Sequence, residues 1–155
     1  MIQLKEAKKI YKNGRTEYPA LNGIDLTIEN GEYVAIIGTS GWGKSTLLNI
    51  IGGMDQTTDG QYLYDEKNVS KMNSHALHLF RKEYVSFVFQ RFALLNQYSV
   101  YENVEVPLLA KGIEKNERKK KVLSALMQVG IQDLYKKKPS ELSGGEQQRC
   151  AIARA

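Results

Sequence analysis

Residues 33–46 have the sequence YVAIIGTSGWGKST, and this stretch decides the fold of the chain. Residues 33–37 form a continuous apolar run rich in β-branched side chains, which predicts a strand buried on both faces. A glycine-rich loop follows over residues 38–43, and a helix is predicted over residues 44–51. A buried strand, a glycine loop and a helix in this order are typical of a loop that binds phosphate.

The loop matches the pattern G-x-x-x-x-G-K-[ST] at every fixed position. Its glycines let the backbone wrap a phosphate with N–H groups pointing inward, and the helix start adds a positive dipole end. Lys44 is expected to reach the β- and γ-phosphates, and the Ser45 hydroxyl is expected to hold Mg²⁺. The Trp42 side chain should point outward while its N–H faces the phosphate. A glycine-rich turn before an ordinary helix is the alternative.

The remaining chain changes from strands to helices along its length. Strands are predicted at residues 2–11, 23–29, 61–64 and 85–90. Helices are predicted at residues 74–83, 99–110, 117–129 and 143–155. Turns are predicted at Asn13-Gly14 and Asn30-Gly31, the second of them as a hairpin turn. This order favours an α/β layer with a helical insert.

Composition restricts the class of protein. The chain has 155 residues, of which 42% are hydrophobic and 25% charged, as in ordinary globular proteins. No apolar stretch is long enough to span a membrane, and the N-terminus has no signal-peptide core. Its one cysteine, Cys150, excludes an internal disulfide framework and is expected to be a core residue. We therefore expect a cytoplasmic protein.

The positive charge is concentrated in one segment. The formal net charge is +5, and residues 111–138 alone carry nine basic and three acidic side chains. We interpret these runs as solvated helix faces, with attraction to an anionic membrane surface as the alternative. No aromatic residues interleave with the first basic run, so nucleic acid is not expected as a partner.

A second glycine motif opens the last predicted helix. Residues 142–149 have the sequence LSGGEQQR, in which Ser143 and Glu146 fit the capping-box pattern S-x-x-E. Together with the phosphate loop, this octapeptide resembles the signature motif of the nucleotide-binding subunits of ABC transporters. The sequence FVFQ at residues 87–90 resembles their Q-loop and ends 46 residues after Lys44. The resemblance covers the entire chain.

The resemblance implies ATP and Mg²⁺ as ligands. It implies Lys44 and Gln90 as catalytic residues, and Ser45 and Gln90 as ligands of Mg²⁺. The family's adenine-stacking aromatic falls on Tyr11, for which simple strand packing is the alternative, and a satisfied polar strand end is the alternative for Gln90. The implied nucleotide-binding residues are Tyr11, Gly38, Thr39, Ser40, Gly41, Trp42, Gly43, Lys44, Ser45, Thr46, Gln90, Ser143, Gly144, Gly145 and Glu146.

The resemblance also implies partners. In this family two ATP-binding subunits pair head to tail, so that the phosphate loop of each faces the signature motif of the other across ATP. A transmembrane permease subunit is implied as well, with the chain on the cytoplasmic face of the plasma membrane. Residues 87–95 and 101–108 resemble the ATPases of lipoprotein release, macrolide export and antimicrobial-peptide resistance. The cell-division ATPase of the same group is an alternative.

The implied fold class is α/β, the P-loop NTPase core of an ABC ATPase with an N-terminal antiparallel β subdomain and a helical subdomain, truncated at its C-terminal end. The expected division is residues 1–98 for the β subdomain, P-loop core and Q-loop, 99–142 for the helical subdomain and 143–155 for the signature helix. The family's apolar strand ending in Asp-Glu and its switch histidine have no counterpart in the sequence. We therefore expect the N-terminal part of a longer ATPase, with little ATP hydrolysis by this chain alone.

Three functions remain open on the sequence. The first is the ATPase subunit of an exporter of a lipoprotein, peptide or drug. The second is a module that binds ATP and a partner without chemistry. The third is a soluble ABC protein of translation or DNA repair, which the 52 residues between Gln90 and Ser143 disfavour because they leave no room for a coiled-coil insert.

Overall fold

The computed structural model describes all 155 residues, and they fall into two units, Met1–Val85 and Ser86–Ala155. Each unit has an apolar core of its own. The three segments expected from the sequence divide the chain at other points, and that division stays a prediction.

A four-stranded antiparallel sheet with the order β2-β1-β3-β4 is the framework of the first unit. Its strands are β1 (Ile2–Asn13), β2 (Thr16–Ile28), β3 (Asp59–Tyr64) and β4 (Lys67–Asn68). β1 and β2 form a hairpin whose turn contains Gly14 at a φ of 59°, which confirms the turn predicted there. The hairpin is longer than the two predicted strands because β2 begins at Thr16.

Helices α1 (Lys44–Ile51) and α2 (Ser74–Tyr84) complete the first unit. Their buried side chains Ile50, Leu77 and Phe80 form one core with apolar side chains of the sheet. Tyr62 of β3 lies within this core and donates a hydrogen bond from its hydroxyl to the Ile51 carbonyl at 2.7 Å. Burial raises the pKa of Tyr62 far above its usual range, so the phenol stays neutral.

The strand predicted at residues 33–37 is wrong. These residues have no regular structure, and Tyr33 and Ile37 are exposed at 106% and 90% of their full surface. A strand is stabilised by hydrogen bonds to a neighbouring strand, and the four strands of the sheet pair only with one another. The predicted hairpin at Asn30-Gly31 fails for the same reason, although a turn does form there.

The strand predicted at residues 85–90 is also wrong. No strand forms, and the side chains of Val88 and Phe89 are more than 40% exposed. The rings of Phe87 and Phe89 stack on each other with their centroids 5.5 Å apart. An apolar run without a pairing strand thus keeps local contacts only.

Three helices form the second unit: α3 (Val100–Ala110), α4 (Lys115–Gln128) and α5 (Gly144–Arg154). All three confirm helices predicted from the sequence, and α3 continues through Pro107. Their core includes Cys150, as expected, and burial raises the pKa of its thiol to about 11. None of the helices in the molecule combines the length and the apolar character needed to cross a membrane.

Asn103 is the one fully buried polar side chain in the core of the second unit. Its Oδ1 accepts a hydrogen bond from Leu95 N at 2.8 Å, and its Nδ2 donates to the carbonyls of Leu95, Tyr98 and Ser99 at 3.0 to 3.2 Å. A single amide therefore fixes the loop that precedes α3. Sequence patterns did not reveal this role, because Asn103 lies among the apolar positions of the helix.

We expect Asn103→Ala to lower the free energy of unfolding by about 2–3 kcal/mol, because buried backbone groups of the loop lose their partner. Urea denaturation followed by circular dichroism measures the change. Asn116→Ala is the matched control, since Asn116 is exposed on α4 and its side chain has no hydrogen-bond partner. Equal stability of the two variants would contradict the assigned role.

Candidate nucleotide-binding site

The glycine loop of the first unit closes around its own lysine. Lys44 Nζ donates hydrogen bonds to the carbonyl oxygens of Gly38 at 2.7 Å and Thr39 at 2.5 Å. These two bonds draw the chain into a ring of residues 38–44 with the ammonium group at its edge. A Lys ammonium has three donors, so at least one remains for an anion that enters the loop.

Gly43 is required at its position by the fold itself. It is the N-cap of α1 with a φ of 76°, in the left-handed region that favours glycine. A Cβ built on Gly43 would lie 2.3 Å from the Ala20 carbonyl oxygen and 2.9 Å from Leu21 Cδ2, both on β2. The loop thus rests directly on the hairpin, and no side chain fits between them.

The start of α1 presents unpaired backbone donors. Leu47 N is the first to find an acceptor in the helix, donating to Gly43 O at 2.8 Å. The N–H groups of the preceding residues 44–46 have no partner within the helix. Such donors, with the Lys44 ammonium beside them, fit a phosphate group. The Ser45 hydroxyl is exposed and is an oxygen donor of the kind that Mg²⁺ binds.

The Trp42 side chain is 77% exposed, so it points away from the loop as expected. Its backbone lies between Gly41, at a φ of 87°, and Gly43. An added Cβ at Gly41 would meet open space, in contrast to Gly43. The left-handed conformation, and not crowding, therefore accounts for glycine at position 41.

Tyr11 belongs to a small polar cluster that the sequence did not predict. Its hydroxyl donates to Asp55 Oδ2 at 2.8 Å, and Lys9 Nζ donates to Asp55 Oδ1 at 2.5 Å. Lys9 Nζ also lies 5.1 Å from the centre of the Tyr11 ring. The ring remains 41% exposed at the edge of the hairpin. Only tertiary structure joins these residues, since Asp55 is 44 positions from Tyr11.

Burial of Asp55 by itself disfavours the carboxylate, but the hydrogen bonds outweigh it. The donors are Lys9, the Tyr11 hydroxyl and the Gln56 N–H, and together they hold the pKa of Asp55 below its usual range. The carboxylate is therefore ionised at neutral pH, and it fixes the Tyr11 ring by its hydroxyl end.

The signature motif of the second unit begins α5 with a complete capping box. Ser143 Oγ accepts from Glu146 N at 3.4 Å, and Glu146 Oε2 accepts from Ser143 N at 2.7 Å and from Ser143 Oγ at 2.8 Å. Hydrogen bonds from Ser143 lower the pKa of Glu146. The same arrangement joins Ser99 and Glu102 at the start of α3, where no glycine follows. The cap alone is therefore structural, and the glycines distinguish the signature.

Gly144 and Gly145 are not required by the fold of this chain. Both are helical, and neither has the positive φ that would favour glycine. A Cβ on Gly144 would meet nothing within 4 Å, and one on Gly145 would meet only the flexible end of Arg149 at 3.7 Å. The two positions leave the start of α5 bare, so a ligand can approach its backbone N–H groups closely.

Gln90 lies in a tight turn, and its side chain is exposed. Phe92 N donates to Phe89 O at 3.0 Å, so the turn places Gln90 at its outer side. Tyr11 and the phosphate loop are thus parts of the first unit, and Gln90 and the signature motif are parts of the second. Lys9 and Asp55 are the site residues that sequence reasoning missed.

A glycine loop that matches G-x-x-x-x-G-K-[ST], with its lysine folded inward and a helix start with free N–H groups behind it, is typical of a P-loop nucleotide-binding protein. A family model described as ABC transporter matches residues 21–155. The chain belongs to the ABC transporter family.

Individual relatives agree with this assignment. The macrolide export ATP-binding/permease protein MacB of Hyphomonas neptunium is 45% identical over all 155 residues, and the chain spans 24% of that protein. The uncharacterized ABC transporter ATP-binding protein YvrO of Bacillus subtilis is also 45% identical, and the chain spans 68% of it. The predicted likeness to macrolide-export proteins is confirmed.

A solved structure confirms the fold. The dimeric structure of a post-hydrolysis state of the ATP-binding cassette MJ0796, bound to ADP and Pi, matches with a TM-score of 0.90 and 40% sequence identity. The match covers 99% of this chain and 68% of that one. The expected fold class, the core of an ABC ATPase, therefore holds despite the two absent strands.

We expect Gly43→Ala to lower the free energy of unfolding by at least about 2 kcal/mol, because it adds a clash with β2 to the strain of a left-handed φ. Gly41→Ala carries the strain alone and should cost about 1 kcal/mol. Thermal unfolding of both variants against the parent chain tests the difference. A Gly43→Ala variant no less stable than Gly41→Ala would refute the close contact with β2.

Proposed function

We propose that this chain is the ATP-binding part of an ABC transporter, which couples ATP binding and hydrolysis to export of a lipoprotein, peptide or drug through a membrane subunit. The observation that carries the proposal is the geometry of the glycine loop. Lys44 is folded into a ring of carbonyls beside an open helix start, in a loop that rests on β2 through Gly43.

The residues of the loop have separate duties in binding ATP. Backbone N–H groups of residues 41–46 surround the β-phosphate, and Lys44 exchanges its loop carbonyls for phosphate oxygens. The Lys44 ammonium thus has hydrogen-bond acceptors both before and after ATP binds. Bound Mg²⁺ would neutralise charge on the phosphates, with Ser45 and Gln90 as its protein ligands. Tyr11, fixed by Asp55, stacks its exposed ring on adenine.

The signature motif serves a second copy of the chain. The positive end of α5 is formed by Ser143, Gly144 and Gly145. A phosphate bound in the loop of the second copy would also accept hydrogen bonds from this helix start. The absence of any packing requirement for Gly144 and Gly145 supports this role, because glycine loses more conformational freedom on folding than alanine would at the same positions. The MJ0796 cassette, which is similar to this chain, is a dimer.

The export role rests on similarity. MacB is named as an ATP-binding/permease protein for macrolide export, and the chain spans 24% of its length. By this analogy the chain works on the cytoplasmic face of the plasma membrane beside a permease. Hydrolysis would use Lys44 to stabilise charge on the transferred phosphoryl group and Gln90 to orient the attacking water.

A second candidate function is ATP binding without chemistry by the 155 residues alone. It is favoured by the position of the one Asp-Glu pair of the sequence, Asp65-Glu66, which follows the short antiparallel strand β3 and does not match the family's apolar strand that ends in the general base.

We expect Mg-ATP to change the fluorescence of Trp42, the only tryptophan, because it is part of the loop that receives the phosphates. The change should disappear in Lys44→Ala. Released phosphate, measured in parallel, should show no steady turnover by the purified chain. A flat emission in a folded sample would refute the binding site, and turnover that Lys44→Ala abolishes would refute the non-hydrolytic alternative.

We expect Gly144→Ala to raise the free energy of unfolding by about 0.5 kcal/mol and yet to abolish dimer formation with Mg-ATP. The methyl group improves helix propensity while it blocks the approach of phosphate. Light scattering measures the dimer, and thermal unfolding measures stability. Ser124→Ala on the exposed face of α4 is the matched control, since it also favours helix but leaves dimer formation unchanged. A dimer of normal strength in Gly144→Ala would contradict the role of the signature.

A further inference from the structure

We propose that Arg154, at the end of α5, is a positioning residue that holds the turn carrying Gln90. The proposal rests on the proposed role of Gln90 in ATP binding. Arg154 Nη1 donates to Ala93 O at 2.6 Å, and Nη2 donates to Phe92 O at 2.8 Å. Arg154 is partly buried, and both of its hydrogen bonds are charge-assisted.

The turn needs such a partner because its backbone is strained. Phe92 and Ala93 both have a positive φ, 59° and 48°, although neither is glycine. Phe92 N donates to Phe89 O at 3.0 Å, and Ala93 N donates to Arg91 O at 2.6 Å, so two tight turns overlap at residues 91 and 92. Two successive non-glycine residues with a left-handed φ are strained, so contacts from outside the turn are needed to stabilise them.

Arginine suits this position better than lysine. The two carbonyls belong to adjacent residues, and the fork of a guanidinium donates to both at once in fixed geometry. A lysine would supply a single ammonium on a flexible stem. A second contact lies nearby in the sequence, since Ser86 Oγ donates to the carbonyl of Ala155, the residue that follows α5. Gln90 lies between these two attachments, so the end of α5 determines where it is presented.

The attachment links two proposed sites through one rigid element. The signature residues begin α5, and Arg154 is in its last turn. A helix of 11 residues is roughly 16 Å long and transmits a displacement of its start to its end. Contact of Ser143 with phosphate in a second copy thus fixes the same helix that holds the Gln90 turn.

Trypsin cleavage tests whether Arg154 stabilises the turn, because trypsin cleaves after Arg91 in the middle of it. We expect Arg154→Gln to speed cleavage at the bond between Arg91 and Phe92 by about tenfold, as the open form of the turn becomes more populated. Arg154→Lys should be intermediate, since it keeps the charge and one donor. Arg149→Gln on the same helix is the matched control and should cleave like the parent, because the side-chain hydrogen bonds to the turn come from Arg154 and not from Arg149.

A second measurement tests whether the turn serves Gln90. ATP affinity is measured by Trp42 fluorescence with and without Mg²⁺. We expect Arg154→Gln to reduce the gain in affinity that Mg²⁺ provides by several-fold and to leave the affinity without Mg²⁺ unchanged. A variant that merely loses stability would weaken both equally.

The outcomes separate the two proposals. If the parent chain fails to bind ATP, the proposed function fails, while the trypsin result still decides the contact of Arg154 with the turn. If Arg154→Gln is unfolded by circular dichroism, Arg154→Lys takes its place. Cleavage at the parental rate in a folded variant, or an undiminished gain from Mg²⁺, overturns the positioning role.

Discussion

The contact between Gly43 and β2 is the constraint on which the nucleotide site depends. The Ala20 carbonyl occupies the space of a side chain at position 43, so the end of the glycine loop is fixed against the long β1–β2 hairpin. From this point α1 begins, and its first free N–H groups point into the loop. The antiparallel sheet, although it carries no phosphate ligand of its own, thereby sets the position of the phosphate-binding backbone.

Glycine occurs in the phosphate loop and in the signature motif for different physical reasons. Gly43 is required by its left-handed φ and by lack of space, whereas Gly144 and Gly145 are helical and face open space. Glycine weakens a helix, so its presence where folding does not need it is consistent with the proposed approach of phosphate to the start of α5. The same comparison identifies Ser99 and Glu102 as a plain helix cap, since bulky Val100 and Tyr101 follow the cap there.

Local signals in the sequence predicted the elements that are stabilised locally. Caps and spacing predicted α3 and α5 to within one or two residues, and Asn13-Gly14 predicted a turn, although the hairpin itself was expected at Asn30-Gly31. Residues 33–37 and 85–90 have the composition of buried strands, but a strand depends on its neighbour, and none pairs with them. Composition alone could not reveal that, because it reports what a segment can bury and not what lies beside it.

The candidate site also combines local features, which the sequence shows, with contacts between distant residues, which it does not show. The phosphate loop and the signature could be proposed from the sequence, because each is a continuous stretch whose expected chemistry lies in the backbone. The contacts of Tyr11 with Asp55 and of Arg154 with Phe92 span 44 and 62 positions, and no period or motif relates such residues. They become visible only when the chain is folded.

Arg154, in the last turn of α5, contributes specific hydrogen bonds in addition to its positive charge. A cation near a helix C-terminus is favourable in itself, so Lys or His would satisfy the dipole equally well. The guanidinium of Arg154, however, donates to carbonyls of Phe92 and Ala93 and not to its own helix. Its hydrogen bonds therefore stabilise a turn with two left-handed residues, which the helix dipole cannot reach. Arg154 thus connects the signature helix with the Gln90 turn. Its loss should destabilise the turn more than it destabilises α5.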